Sequence, residues 1–259
     1  MKKQKTPVGK TLTLTKRYEK PREKGLTAIT DIGVPLGELV HILGSYHSFV
    51  DLAKLGVGSA YIEPCLREKI KLYADHDIPV YFGGTLFEKY YHQAKLDDYL
   101  CFLDDLGIEW IEVSDGTIDM QPEEMIRIIE RVGQNFKVLT EVGKKEETLD
   151  FTSDDWTRQT LDALTAGSAY VVLEGRNTAD AGIYDAGGRL DRALIRQILA
   201  TVDQERLIIE APTARSQSQV INLLGGNVNL GNIFVRDLLL LESQRQGLRE
   251  NTFFVSQGM

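Results

Sequence analysis

The chain is poor in the residues that build disulfide, zinc and triad chemistry. Its 259 residues include two cysteines, four histidines and two tryptophans. Cys65 and Cys101 stand outside any CxxC or Cys/His cluster, so neither a disulfide framework nor a structural zinc site is expected. That usage fits a reducing, cytoplasmic compartment. His41, His47, His76 and His92 fall in predicted helices or at their ends, and no Ser/His/Asp or Cys/His arrangement is apparent. Long apolar runs are missing too. No stretch nears the roughly 18 apolar residues of a membrane span, and the basic residues 1–10 lack the apolar core of a signal peptide. No surplus of positive charge exists either: the net charge is −8 and the pI about 5.2. A phosphate backbone favours a basic face. No nucleic-acid or membrane partner is therefore expected, and a small anionic molecule suits a locally basic or metal-bearing pocket.

What is present is alternation. The 42% hydrophobic content supports a substantial core. Apolar, β-prone runs predict strands at 26–33, 49–58, 79–84, 110–116, 137–143, 169–175, 206–211 and 228–233. Helical segments follow each, near 37–48, 65–76, 86–106, from Gln121, from Thr152, then 191–201, 216–224 and 235–246. Gln121-Pro122-Glu123-Glu124 and Thr152-Ser153-Asp154-Asp155 are helix-start signals. Eight alternations with short connections predict an α/β fold, a single-domain (β/α)8 TIM barrel over residues 21–259. An open doubly wound sheet shares the alternation, but no GxGxxG follows the first strand. Residues 1–20 read as a polar tail or a cap on the barrel bottom. Residues 177–189 form a long loop, either a functional lid or a surface excursion.

The chemistry sits at strand ends. Four apolar runs end in a carboxylate: Trp-Ile-Glu-Val-Ser-Asp-Gly at 110–116, Val-Leu-Thr-Glu-Val-Gly-Lys-Lys at 138–145, Tyr-Val-Val-Leu-Glu-Gly-Arg at 170–176 and Leu-Ile-Ile-Glu-Ala-Pro at 207–212. A closed barrel gathers all these ends on one face. Glu112, Asp115, Glu141, Glu174 and Glu210 then converge with Lys144, Lys145 and Arg176. Such a set suits a divalent metal and a highly anionic substrate. A hard cation takes one or two carboxylates with water and substrate oxygens; the remainder pair with lysines, and spacing alone does not say which. Asp31 closes the first strand, as a catalytic group or as a cap for the next helix. Lys54 lies inside an apolar strand, which is costly unless it is paired or binds an anion. Gly83-Gly84-Thr85 opens a helix whose N–H groups suit an anion. Arg215, Ser216, Gly231 and Asn232 stand in the seventh and eighth loops, where barrels often bind phosphate. A lysine is the best proton donor or acceptor on offer.

Several strings, in order, resemble the phosphosulfolactate synthase family. They are Lys-Pro-Arg at 20–22, Lys-x-Gly-x-Gly at 54–58, Gly-Gly-Thr-Leu-Phe-Glu at 83–88, Glu-Val-Ser-Asp-Gly at 112–116, Leu-Thr-Glu-Val-Gly-Lys-Lys at 139–145, Glu-Gly-Arg at 174–176, Glu-Ala-Pro at 210–212, Val-Asn-Leu-Gly-Asn-Ile at 228–233 and Gly-Leu-Arg-x-x-Thr-Phe at 247–253. The likeness spans about residues 20–252. It implies a barrel akin to the enolase superfamily and Mg²⁺-dependent addition of sulfite to phosphoenolpyruvate, giving (2R)-2-O-phospho-3-sulfolactate. In methanogens this step opens coenzyme M biosynthesis; in some bacteria it leads to sulfolactate; plant relatives are associated with heat stress. Two departures stand out. Ala211-Pro212-Thr213-Ala214-Arg215 differs from the usual Glu-Ala-Pro-x-Lys-x-x-Gln, and Val57 replaces an aromatic of the methanogen pattern.

On that reading, Lys144 is the expected proton donor to C2, and Lys54, Arg176 and Lys145 neutralise sulfite and phosphate. The five strand-end carboxylates supply the metal ligands. A homo-oligomer is expected. Two other classes fit the same barrel: a Schiff-base aldolase using Lys54 or Lys144, and a non-catalytic, stress-related binding protein.

Overall fold

The computed structural model describes residues 11–143, 151–176 and 178–255. Among these residues, eight parallel strands make one sheet: β1 (Thr27–Asp31), β2 (Leu52–Leu55), β3 (Val80–Phe82), β4 (Trp110–Val113), β5 (Lys137–Val142), β6 (Tyr170–Leu173), β7 (Leu207–Glu210) and β8 (Leu230–Phe234). Their order is β3-β2-β1-β8-β7-β6-β5-β4. β3 packs beside β4, so the sheet curls into a nearly closed (β/α)8 barrel. The strands are shorter than their apolar runs. The flanking residues of each run lie in the connections.

Among the described residues, helices cover the outside: α1 (Leu36–Tyr46), α2 (Leu66–Ala74), α3 (Gly84–His92), α4 (Leu96–Asp105), α5 (Pro122–Val132), α6 (Ser153–Thr165), α7 (Arg192–Leu199), α8 (Ala214–Leu224) and α9 (Leu238–Arg245). The expected starts hold for α5 and α6. Pro122 occupies the first turn of α5, and Thr152 and Asp155 form a reciprocal capping box on α6. The long helix expected over 86–106 is instead two. The chain breaks at Gln93-Ala94-Lys95, where Ala94 takes a left-handed conformation with φ 54°. Neither glycine nor proline marks that break.

Side-chain alternation layers the barrel. Ala28, Leu52, Tyr81, Trp110, Leu139, Val172 and Ile208 form an apolar cluster of their own inside the strands. Two residues further along, the same face presents Thr30, Lys54, Gly83, Glu112, Glu141, Glu174 and Glu210. The interior is therefore apolar below and charged above. The opposite strand faces join the helices in the larger core, which includes Ile29, Ala53, Phe82, Ile111, Val142, Leu173 and Ile209.

Beneath the barrel, the described part of the polar N-terminal stretch packs in place. Arg17 pairs with Glu242 at 3.2 Å and donates to the Gly25 carbonyl at 2.8 Å. The loop after β6 is also anchored. The Ile183 N–H donates to the Glu174 carbonyl at 2.9 Å, and the Tyr184 hydroxyl to the Glu210 carbonyl at 2.7 Å. No helix among the described residues is long and apolar enough to cross a membrane.

Candidate active site

Above the charged layer lies a cavity of about 400 Å³, at the C-terminal mouth of the barrel. Its floor is Lys54. Nζ lies 2.9 Å from Glu112 Oε1, 3.2 Å from Glu141 Oε2 and 3.6 Å from Glu210 Oε1. Burial alone would lower the lysine pKa; Glu112, then Glu141 and Glu210, outweigh it and hold the ammonium well above its ordinary value. Lys54 is thus a fixed positive charge.

The carboxylates around it are in excess. Burial pushes Glu112 up to about 7, against the pull of Lys54 and with help from Glu141. Burial likewise raises Glu210, although Lys54, the Gly175 N–H and a hydrogen bond with the Glu174 side chain favour its charged form. That N–H donates to Glu210 Oε2 at 3.1 Å, and Asn232 Nδ2 approaches the same oxygen at 3.4 Å. The Arg176 N–H donates to Glu174 Oε1 at 2.5 Å. These contacts form where the strands stop close to the inward carboxylates, β6 one residue before Glu174 and β7 at Glu210 itself.

Three non-glycine residues in the cavity wall have left-handed backbone: Val57 (φ 49°), Arg176 (φ 55°) and Asn232 (φ 55°). Such conformations cost energy, most of all for β-branched Val57, and concentrate where function holds the chain.

The expected site residues separate into groups. Lys54, Glu141, Glu174, Arg176, Glu210 and Asn232 line the cavity together. Glu112 is fully buried behind the wall. Asp115 is buried beyond the end of β4 and is not in the wall. Asp31 faces away. It accepts the Gly33 and Val34 N–H groups, and Lys69 and the Tyr73 hydroxyl each lie 3.1 Å from its Oδ2. It closes the turn ahead of α1, whose N-cap is Pro35, and belongs to a buried ion pair; its neighbour Thr30 takes the place in the wall. Strand alternation is the signal that distinguishes the two. Arg215 reaches outward to the Gly187 carbonyl at 2.9 Å. Ser216 is committed to a capping box with Thr213. Gly231 pairs with Glu210 in the sheet, where a Cβ would fall 2.7 Å from Ile208 Cγ2. Lys144 and Lys145 lie outside the described residues. The hydroxyls of Thr30, Thr117 and Thr178 in the wall were not singled out by the sequence. Isolated threonines on three different segments carry no pattern.

Does this donor set fit a divalent metal? Among the described residues, no group of three or more His, Cys, Asp or Glu side chains has the spacing of a metal site. Mg²⁺ does not require one, since it takes one or two carboxylates and completes its shell with water and substrate. Glu174 and Glu210, side by side with the Asn232 amide close by, are hard oxygen donors of that kind. The surplus of carboxylates over cations also favours an added positive charge.

Comparison with known proteins gives a consistent outcome. The family model described as (2R)-phospho-3-sulfolactate synthase (ComA) matches residues 15–251. The phosphosulfolactate synthase of Bacillus subtilis is 36% identical over 247 residues, covering 94% of this chain and 98% of the relative. That of Methanocaldococcus jannaschii is 37% identical over 237 residues, covering 89% and 94%. Solved structures resemble the chain in fold alone. The carboxyl transferase domain of Rhizobium etli pyruvate carboxylase has a TM-score of 0.58 at 9% identity, covering 84% of this chain and 41% of that one. The 3-hexulose-6-phosphate synthase of Salmonella typhimurium has a TM-score of 0.52 at 14% identity, covering 85% and 100%.

Proposed function

The chain belongs to the (2R)-phospho-3-sulfolactate synthase family, and from that premise we propose that it adds sulfite to phosphoenolpyruvate with the help of Mg²⁺. The observation that carries this reading is Lys54, a buried ammonium held charged on the floor of a cavity rimmed by Arg176. Two anions must meet for the reaction to occur. Unit like charges 4 Å apart cost about 4 kcal/mol at an effective dielectric of 20. Fixed cations offset that repulsion without moving during the reaction.

The sulfur lone pair forms a bond to the methylene carbon. The π pair of the double bond moves toward C2 and the substrate carboxylate, and a proton then arrives at C2. Lys54 holds positive charge beneath the substrate, and Arg176 holds it at the rim. Lys144, one residue beyond Gly143, is the proton donor in this proposal. Mg²⁺ would be held by Glu174 and Glu210, and when bound supplies charge against the carboxylate of the enolate-like species. The Gly83-Gly84-Thr85 turn brings the first turn of α3 to the wall, where the positive end of the helix favours an anion.

A Schiff-base aldolase needs a lysine that readily loses its proton. Lys54 is held in the opposite state. The direct test is phosphorus NMR of the protein with phosphoenolpyruvate, sulfite and Mg²⁺, with and without EDTA. A new phosphate-ester resonance that needs sulfite and metal is expected; its absence in the complete mixture would overturn the proposal. Tyr61 and Ile62 are 65% and 80% exposed and line a groove that shares Thr85 and Thr117 with the cavity wall. They support the further proposal of a homo-oligomer. Light scattering should show a multiple of 29.1 kDa, reduced by Ile62→Glu.

A further inference from the structure

The sheet order ends at β3 and β4, so among the described residues this is the seam of the barrel that no backbone ladder closes. Side chains close it instead. The Gly84 N–H, in the first turn of α3, donates to Glu112 Oε1 on β4 at 2.5 Å. The Ser114 hydroxyl donates back to Glu88 Oε1 on α3 at 2.6 Å. Glu112 Oε1 also receives Lys54 Nζ at 2.9 Å. One carboxylate oxygen thus anchors two parts of the cavity wall at once, the ammonium on β2 and the first turn of α3.

Glu112 itself does not reach the cavity. It is 0% exposed and absent from the wall that Lys54, Gly84, Glu141 and Glu210 share. Its Oε2 is buried and makes no hydrogen bond. A group in this position touches neither substrate nor solvent. It acts through what it holds. Gly84 has no room for a substitute arrangement, since a Cβ there would fall 2.1 Å from Ser114 Oγ. The seam is close-packed and Glu112 has one place to sit.

We propose that Glu112 is a positioning residue: it fixes the Lys54 ammonium and the first turn of α3 relative to each other across the β3–β4 seam, and it is not a metal ligand. The assignment rests on the proposed sulfite addition for the role of Lys54. The two are separable by experiment.

Glu112→Gln keeps the shape and an acceptor for the Gly84 N–H but removes the charge that anchors Lys54. A misplaced positioning group lowers kcat, with an expected fall of about tenfold or more. KM for phosphoenolpyruvate should stay level or drop, because a negative charge beneath an anion site is gone. The Mg²⁺ concentration giving half-maximal activity should not change. If the glutamine variant does not fold, Glu112→Asp keeps the charge on a shorter stem and is read by the same three quantities. A kcat within about twofold of the parent would overturn the assignment. So would a raised Mg²⁺ requirement, or kcat and KM worsening together as general loosening produces. Wild-type protein without turnover would remove the sulfite-addition reading and this assignment with it; an active wild type with any of those three outcomes would remove the assignment alone.

Discussion

Lys54 brings one positive charge to a point where Glu112, Glu141 and Glu210 already converge. Its removal leaves buried carboxylates without their partner, a change that typically costs about 3–5 kcal/mol. Lys54→Met should therefore lose turnover by at least about a hundredfold and unfold at lower denaturant. Part of that stability should return as pH falls and the carboxylates take up protons; a midpoint independent of pH would count against the charge argument. The parent protein carries a related signature. Glu112 has a folded pKa of about 7 against an ordinary carboxylate value. Between the two values the native state binds more protons than the unfolded chain, so stability declines as pH rises through that window and levels off above it. The contribution is on the order of 3 kcal/mol. Denaturant titrations in EDTA from pH 5 to 8 should show this slope, and Glu112→Gln should flatten it.

At the same scale, the sequence made the strand-end carboxylates legible because each closes an apolar run. It placed Asp31 in the site for the same reason. Strand phase decides otherwise: Ala28 and Thr30 face inward, and Asp31 turns to Lys69. Reading the period of two from Ala28 would have moved the assignment by one residue.

Helices and strands carry the next level. The β/α order was written in the apolar runs, but the break between α3 and α4 was not. It depends on Ala94 adopting a left-handed backbone without the glycine that usually signals one. The loop over 177–189 was legible as long, not as anchored. Its attachment rests on Tyr184, Ile183 and Ala179, which are buried against the barrel, and such tertiary contacts leave no local pattern. The start of α3 is the element most exposed to change. An alanine at position 84 would set its Cβ 2.1 Å from Ser114 Oγ and 2.8 Å from Ser114 Cβ. Overpacking of this kind costs about 1–3 kcal/mol. Gly84→Ala should lower the melting temperature and reduce turnover together, because the same atoms close the seam and carry the helix end into the cavity. A variant equal to the parent in both would show that the seam opens without cost.

Across the whole molecule, the two ends of the barrel divide the labour. Chemistry gathers at the C-terminal mouth, and the opposite face secures the chain where β8 meets β1. There Arg245 is fully buried and donates to the Gly226, Val228 and Leu26 carbonyls, tying the segments that lead into β8 and β1. Arg17 reinforces the same junction, with Glu242 as its ion partner and Asn227 and Gly25 as further acceptors. The side chains of Arg17 and Glu242 are 9% and 7% exposed. Loss of one partner leaves the other charge nearly buried, at a typical cost of about 3 kcal/mol or more. None of these groups lies in the cavity wall. Arg17→Ala should therefore shift the urea midpoint clearly downward while kcat, measured well below the unfolding range, stays within about twofold of the parent. A large fall in kcat with an unchanged midpoint would mean that the barrel bottom communicates with the mouth and that the division between stability and chemistry does not hold in this protein.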